Sequence, residues 1–186
     1  MELINNKKMS IYSLSKLSGI PYSTINDICN GKTHIRSCCA ETVFRLAQAL
    51  NITMEELVAP DVLERPDFEN YKSEICHRLK RLGDIEFIIR VLESNDIRKY
   101  YNWGWYQECF YLLALVDYVS RLNNVDRCKD YNDIRKCKLQ EPIYPKGIRL
   151  LAMTIKDKDI YKEARESAIP EFLRFNIIEN EVRDVV

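Results

Sequence analysis

The chain is predicted to be all-α, and three observations carry that prediction. Apolar residues recur at helical spacing along most of its length. Only five glycines and six prolines punctuate 186 residues, which favours long helices over tight turns. Residues 10–31 hold two short amphipathic patterns, joined at Gly19 and closed at Gly31, the sequence form of a helix-turn-helix. This length allows one large or two small domains, and a hydrophobic content of 46% is enough to build real cores. The expected layout is a helix-turn-helix domain at 1–58, a linker at 59–66 and a helical domain at 67–186.

In the first pattern Ser10 is placed to cap, because its hydroxyl can accept from a free backbone N–H. Ile11, Leu14 and Leu17 recur at i, i+3 and i+6 as an inward stripe, with the small Ser15 beside it where a second helix must approach. Gly19 stands where a left-handed residue ends a helix. Ile20 plugs the angle between the helices, and Pro21 suits the start of the next one, since its ring presets φ. In that second pattern Ile25 and Ile28 face inward, which leaves Tyr22, Ser23, Asn26 and Asp27 on the outer face. Such a face reads base edges in the DNA major groove, and Asn30, Lys32 and Arg36 are placed to meet phosphates.

Residues 1–60 resemble the Cro/repressor-type, or XRE, helix-turn-helix family. The resemblance rests on the motif above and on the run Leu46-Ala47-x-Ala49-Leu50-Asn51-Ile52-Thr53-x-Glu55-Glu56-Leu57. It implies a five-helix layout, with a short first helix over 2–7, a fourth near 40–50 and a fifth beginning at Thr53. Glu55 and Glu56 in that fifth helix's first turn suit its dipole. It also implies base reading by Tyr22, Ser23, Asn26 and Asp27, and phosphate contact near Asn30 and Lys32. Three positions depart from the family. Ile11 stands where glutamine is frequent, Asp27 is unusual on a DNA-facing surface, and Cys29 precedes the closing turn where an acid or arginine is common.

Charge is balanced over the whole chain, 28 basic against 28 acidic residues, which is not the signature of a generic nucleic-acid binder. Its distribution differs. Between Lys7 and Arg45 six cations face two acids, a net of +4. A modest basic face implies affinity that leans on dimerisation and base contacts, since one such domain neutralises few phosphates. Seven cysteines form no CxxC pair, and no apolar run is long enough to span a bilayer. A reduced, cytoplasmic protein is expected, with no membrane association. Cys29, His34, Cys38 and Cys39 cluster within eleven residues, but their spacing matches no zinc pattern and adjacent cysteines chelate poorly, so no metal is expected.

Two prolines, Pro60 and Pro66, interrupt the helical pattern and mark the linker. Beyond it a stripe of Phe68, Tyr71, Ile75, Leu79 and Leu82 predicts a helix over 67–82, ended by Gly83. Asp84 is read as the cap of the next, with Ile85, Ile88, Ile89 and Leu92 inward. A short helix opened by Asn95 or Asp96 and running through Tyr101 and a long one near 105–122 follow, the latter apolar almost all round and so expected at the centre of the domain. A polar stretch at 123–146 includes a loop. Further helices are expected from a start at Pro145 and Gly147 to about Met153 and over 158–167, with a final segment at 171–183 opened by Pro170.

Aromatics concentrate at Tyr100, Tyr101, Trp103, Trp105 and Tyr106, which serve as core, as a groove for a partner protein or peptide, or as the lining of a small-molecule pocket. The stretch from Trp105 to Ala114, with Tyr144-Pro145-Lys146-Gly147, resembles a helical extension attached to XRE domains in Firmicutes-type bacteria, of no defined activity. No HExxH, GxSxG, glycine-rich phosphate loop or paired-carboxylate pattern is present in the sequence, so neither catalysis nor a cofactor is expected. The resemblance implies a transcriptional regulator, a repressor acting as a homodimer on a palindromic operator in double-stranded DNA. The alternative is an antitoxin that sequesters a partner toxin through its C-terminal domain.

Overall fold

In the computed structural model, which describes residues 9–155 and 159–183, eleven α-helices and three short 3-10 turns carry the chain. Among the described residues there is no strand, only one isolated parallel bridge between Ile143 and Ile177. The all-α expectation therefore holds. The helix expected at 2–7 lies outside the described residues. The chain divides into two compact units, Met1–Pro66 with Asn102–Trp105, and Asp67–Tyr101 with Tyr106–Val186.

The first unit is built from α1 (Ile11–Ser18), α2 (Tyr22–Cys29), a 3-10 turn (Ile35–Ser37), α3 (Ala40–Leu50) and α4 (Met54–Val62). Leu14, Ile25, Leu46 and Leu50 are fully buried at its centre. The expected inward stripe of α1 is corrected at one position: Leu17 is 66% exposed, and Ser18 takes the buried place one residue on. Ser18 fits there because its hydroxyl donates to the Leu14 carbonyl at 2.7 Å and so stays satisfied in the core. α3 ends on Asn51 in a left-handed conformation, φ 50°. α4 opens with a reciprocal capping box: the Thr53 hydroxyl accepts from Glu56 N–H, and the Glu56 carboxylate accepts from Thr53 N–H, both at 3.1 Å.

The expected linker at 59–66 starts later than the prolines suggest, because α4 runs through Pro60 to Val62. Proline lacks the N–H that would bond the Glu56 carbonyl one turn back. That carbonyl instead accepts from the Trp103 indole Nε1–H at 3.1 Å, so the helix survives its proline. Trp103→Phe deletes this donor and is expected to cost about 1–2 kcal/mol. The loss should shrink in a Pro60→Ala background, where residue 60 regains an N–H. A double-mutant cycle by urea denaturation reads the coupling, and equal losses in both backgrounds would refute it.

The second unit contains α5 (Phe68–Leu82), α6 (Asp84–Ser94), most of α7 (Asp96–Trp103), α8 (Tyr106–Leu122), α9 (Lys146–Ile155), α10 (Asp159–Glu166) and α11 (Pro170–Leu173). α8 is the central helix, as its all-round apolarity predicts, and twelve of its seventeen residues are buried. Tyr71, Ile75 and Leu79 of α5 pack into the same core as expected. On α6 the buried register is Phe87, Ile88 and Val91, whereas Ile85 and Ile89 are exposed. Two overlapping apolar stripes were available on that helix, and the one holding the large Phe87 ring takes the core. Gly83, not Asp84, is the N-cap of α6, and the Asp84 carboxylate instead accepts from Arg183 and Asn123. Residues 174–183 are not helical beyond the short α11. Asn176 turns left-handed at φ 66°, and Ile143 then exchanges backbone hydrogen bonds with Asn176 and Ile178.

Charged residues are buried in this unit, each with a partner. Asp117, 1% exposed, accepts two hydrogen bonds from Arg135 at 2.7 and 2.8 Å and a third from Arg174 at 3.1 Å. Glu171 takes a bidentate pair from Arg121. Glu179 meets Lys72 at 2.5 Å, and burial pushes its carboxyl above the usual range against the pull of that ammonium.

Candidate nucleic-acid interface

The helix-turn-helix is assembled by local bonds that the sequence encodes. Ser10 caps α1, its hydroxyl accepting from Ser13 N–H at 3.1 Å. Gly19 ends α1 at φ 69° and donates to the Ser15 carbonyl. The Ser15 hydroxyl donates to the Ile20 carbonyl at 2.6 Å, which fixes the turn from inside while Ile20 itself is buried. Pro21 is the N-cap of α2, one position before its expected place, and its carbonyl accepts the first helical bond from Ile25. At the other end Asn30 caps α2, and Gly31 turns left-handed at φ 71°. Both Lys32 and Thr33 then donate to the Asp27 carbonyl, closing the loop tightly behind the helix.

With Ile25 and Ile28 buried, α2 presents the face the sequence marks. Tyr22 is 52% exposed, Ser23 is exposed, and Asn26 and Asp27 are half-buried beside them. Asn30, Lys32 and Arg36 are exposed, so all seven candidate residues reach the surface. Two of them are not independent: Lys32 Nζ lies 3.8 Å from the Asp27 carboxylate, which draws part of its charge away from a phosphate. Arg36 Nη1 donates to the Asp61 carbonyl at 3.4 Å.

Asp61 escaped sequence reasoning altogether. Its carboxylate accepts from Ile35 N–H at 2.9 Å and stands 3.8 Å from His34 Nδ1, so α4 holds the loop that follows α2. The only sequence signal was its position after Pro60, which marks a linker rather than an anchor. Among the clustered cysteines, the Thr42 hydroxyl draws the exposed Cys39 thiol below its ordinary value, whereas burial raises Cys29 and Cys38. Among the described residues no group of three His, Cys, Asp or Glu could hold a metal ion.

Residues 2–61 match the family model of the Cro/C1-type HTH DNA-binding domain. The N-terminal third is a domain of that type. No curated protein and no solved structure matches the chain. A Cro/C1-type domain supports a DNA-binding regulatory role for this protein. No helix among the described residues is long and apolar enough to cross a membrane.

The five aromatics considered for partner binding lie outside that domain match. None is fully exposed. Trp105 is 9% exposed and edge-on to Trp103 at 5.1 Å. Tyr100 stands edge-on to Tyr71, and Tyr106 lies between Tyr101 and the stacked Phe110. Desolvation pushes the Tyr100 hydroxyl up to about 12. Each of the five packs against another aromatic ring of its own unit.

Proposed function

We propose that the protein is a transcriptional repressor that binds a palindromic operator as a homodimer and reads base edges with the outer face of α2. The carrying observation is the pairing of an exposed polar face, Tyr22, Ser23 and Asn26, with the Cro/C1-type match at 2–61. Lys32 and Asn30 flank that face and serve as phosphate contacts, which set register without reading sequence. Two-fold symmetry asks for half-sites about one helical turn apart. The antitoxin alternative is the weaker reading, because each of the five rings already packs against another ring of its own unit.

Fluorescence anisotropy on the DNA upstream of the protein's own gene, against a scrambled duplex at physiological salt, tests the reading. Specific readers favour their site by roughly a thousandfold or more. Preference of that order supports an autoregulatory repressor, and equal weak binding to both duplexes would argue against it.

A further inference from the structure

The first unit holds a cleft of about 330 Å³, bounded by the end of α2, the loop that follows it, α4 and the Asn102–Trp103 segment. That volume lies at the small end of the range for organic-ligand sites. The walls are apolar at Ile35, Leu57, Pro60 and Trp103. Trp103 is held in place there by its bond to the Glu56 carbonyl. Polar groups enter at Thr33, His34, Asp61 and Asn102. An apolar lining with a few polar groups is the usual make-up of a small-molecule site.

We propose that this cleft binds a small organic amine, protonated at neutral pH, with its apolar part against the walls and its ammonium on Asp61. Charge decides the class. Among the described residues Asp61 is the only carboxylate in the lining, and no lysine or arginine joins it. Asp61 Oδ2 accepts from Ile35 N–H and faces His34 Nδ1, whereas Oδ1 accepts no hydrogen bond among the described residues. An anion would meet that carboxylate with no cation in the lining beyond His34, which Asp61 already faces. A neutral apolar molecule would cover the carboxylate without giving it a donor, which is costly. An ammonium supplies both charge and donors, and Thr33 and Asn102 offer further acceptors.

The position of the cleft gives binding a consequence, and that consequence rests on the repressor reading. Asp61 anchors the loop that carries Lys32 and Arg36, the candidate phosphate contacts, through Ile35 N–H and the Arg36 guanidinium. A cation held on Asp61 offsets an acid bonded to that loop and should tighten DNA binding.

Phenethylamine is the probe, with phenethyl alcohol as its neutral counterpart and phenylacetate as an anion. Nitrogen–proton correlation NMR of the full chain reads the site. The amine is expected to shift the Thr33 and Ile35 amides and the Trp103 indole N–H saturably, at about millimolar strength for so small a probe. The alcohol and the carboxylate should bind about tenfold more weakly or worse, since they lack the charge-assisted hydrogen bond. Asp61→Asn keeps an oxygen for Ile35 N–H and should lose the amine by the same factor. Glu41→Gln, which removes an exposed acid outside the cleft, should bind it unchanged. No saturable shift at those three groups, equal binding of amine and alcohol, or undiminished binding by Asp61→Asn overturns the proposal. The wild-type comparison of the three probes decides the matter if Asp61→Asn fails to fold. Anisotropy on the upstream DNA, with and without the amine, separates the two readings. Amine binding without any DNA preference keeps the cleft and sinks the repressor reading, whereas operator binding that the amine leaves unchanged overturns the regulatory consequence.

Discussion

Asp117→Asn is expected to destabilise the protein by about 3 kcal/mol or more, the range for breaking one side of a buried charge pair. The carboxylate is 1% exposed and faces two guanidinium groups. Asparagine keeps the shape but removes the negative charge that Arg135, with 9% side-chain exposure, bonds directly. Arg135 would retain the Cys128 carbonyl and the Asn132 side chain, both uncharged. Arg174 is 32% exposed and can turn to water, so most of the cost falls on Arg135. Glu171→Gln is the control. Its partner Arg121 is 53% exposed, and that pair should be worth about 1 kcal/mol or less. Urea denaturation followed by circular dichroism compares the two. A Tm lower by roughly 10 °C is the matching thermal result. Similar losses for Asp117→Asn and Glu171→Gln would show that burial does not govern these pairs.

The sequence made the helix-turn-helix legible because every signal there is local. Ser10, Gly19 and Gly31 act within four residues of where they stand, and caps and left-handed turns do not depend on the rest of the fold. The buried pair Ile25 and Ile28 then settles which side of α2 faces out. The misread positions are those where two local solutions compete and tertiary packing decides. Leu17 and Ser18 are adjacent candidates for one core place, and the serine wins because it can satisfy its hydroxyl within the helix. Ile85 and Ile89 make as good a stripe as Phe87 and Val91 until the size of the space is known. Pro60 reads as a helix breaker because its compensation, Trp103, lies 43 residues downstream. Asp61 and Asp117 are likewise defined only by partners remote in sequence. The exposed side of α2 could thus be marked from the chain, whereas the α4 contacts that brace the following loop could not.

Substitutions on and beside α2 should separate reading from holding. Asn26→Ala is expected to cost about 1–3 kcal/mol on the preferred operator and far less on scrambled DNA, because an amide side chain discriminates bases. Its half-buried position leaves the side chain able to reach a groove while its backbone stays in the helix. Lys32→Ala should weaken binding to every duplex alike and reduce the salt slope by about 0.9 for each phosphate no longer neutralised. Asp27→Asn gives the sharpest contrast. Its carboxylate stands 3.8 Å from Lys32, so neutralising it releases a cation toward the backbone and should raise affinity for all sequences. If Asp27 also accepts from a cytosine amino group, the same change must lower the preference for the operator over scrambled DNA. Anisotropy titrations of the three variants at several salt concentrations distinguish these roles. Three indistinguishable titrations would mean that α2 does not lie in the groove, whatever the affinity of the whole protein for DNA.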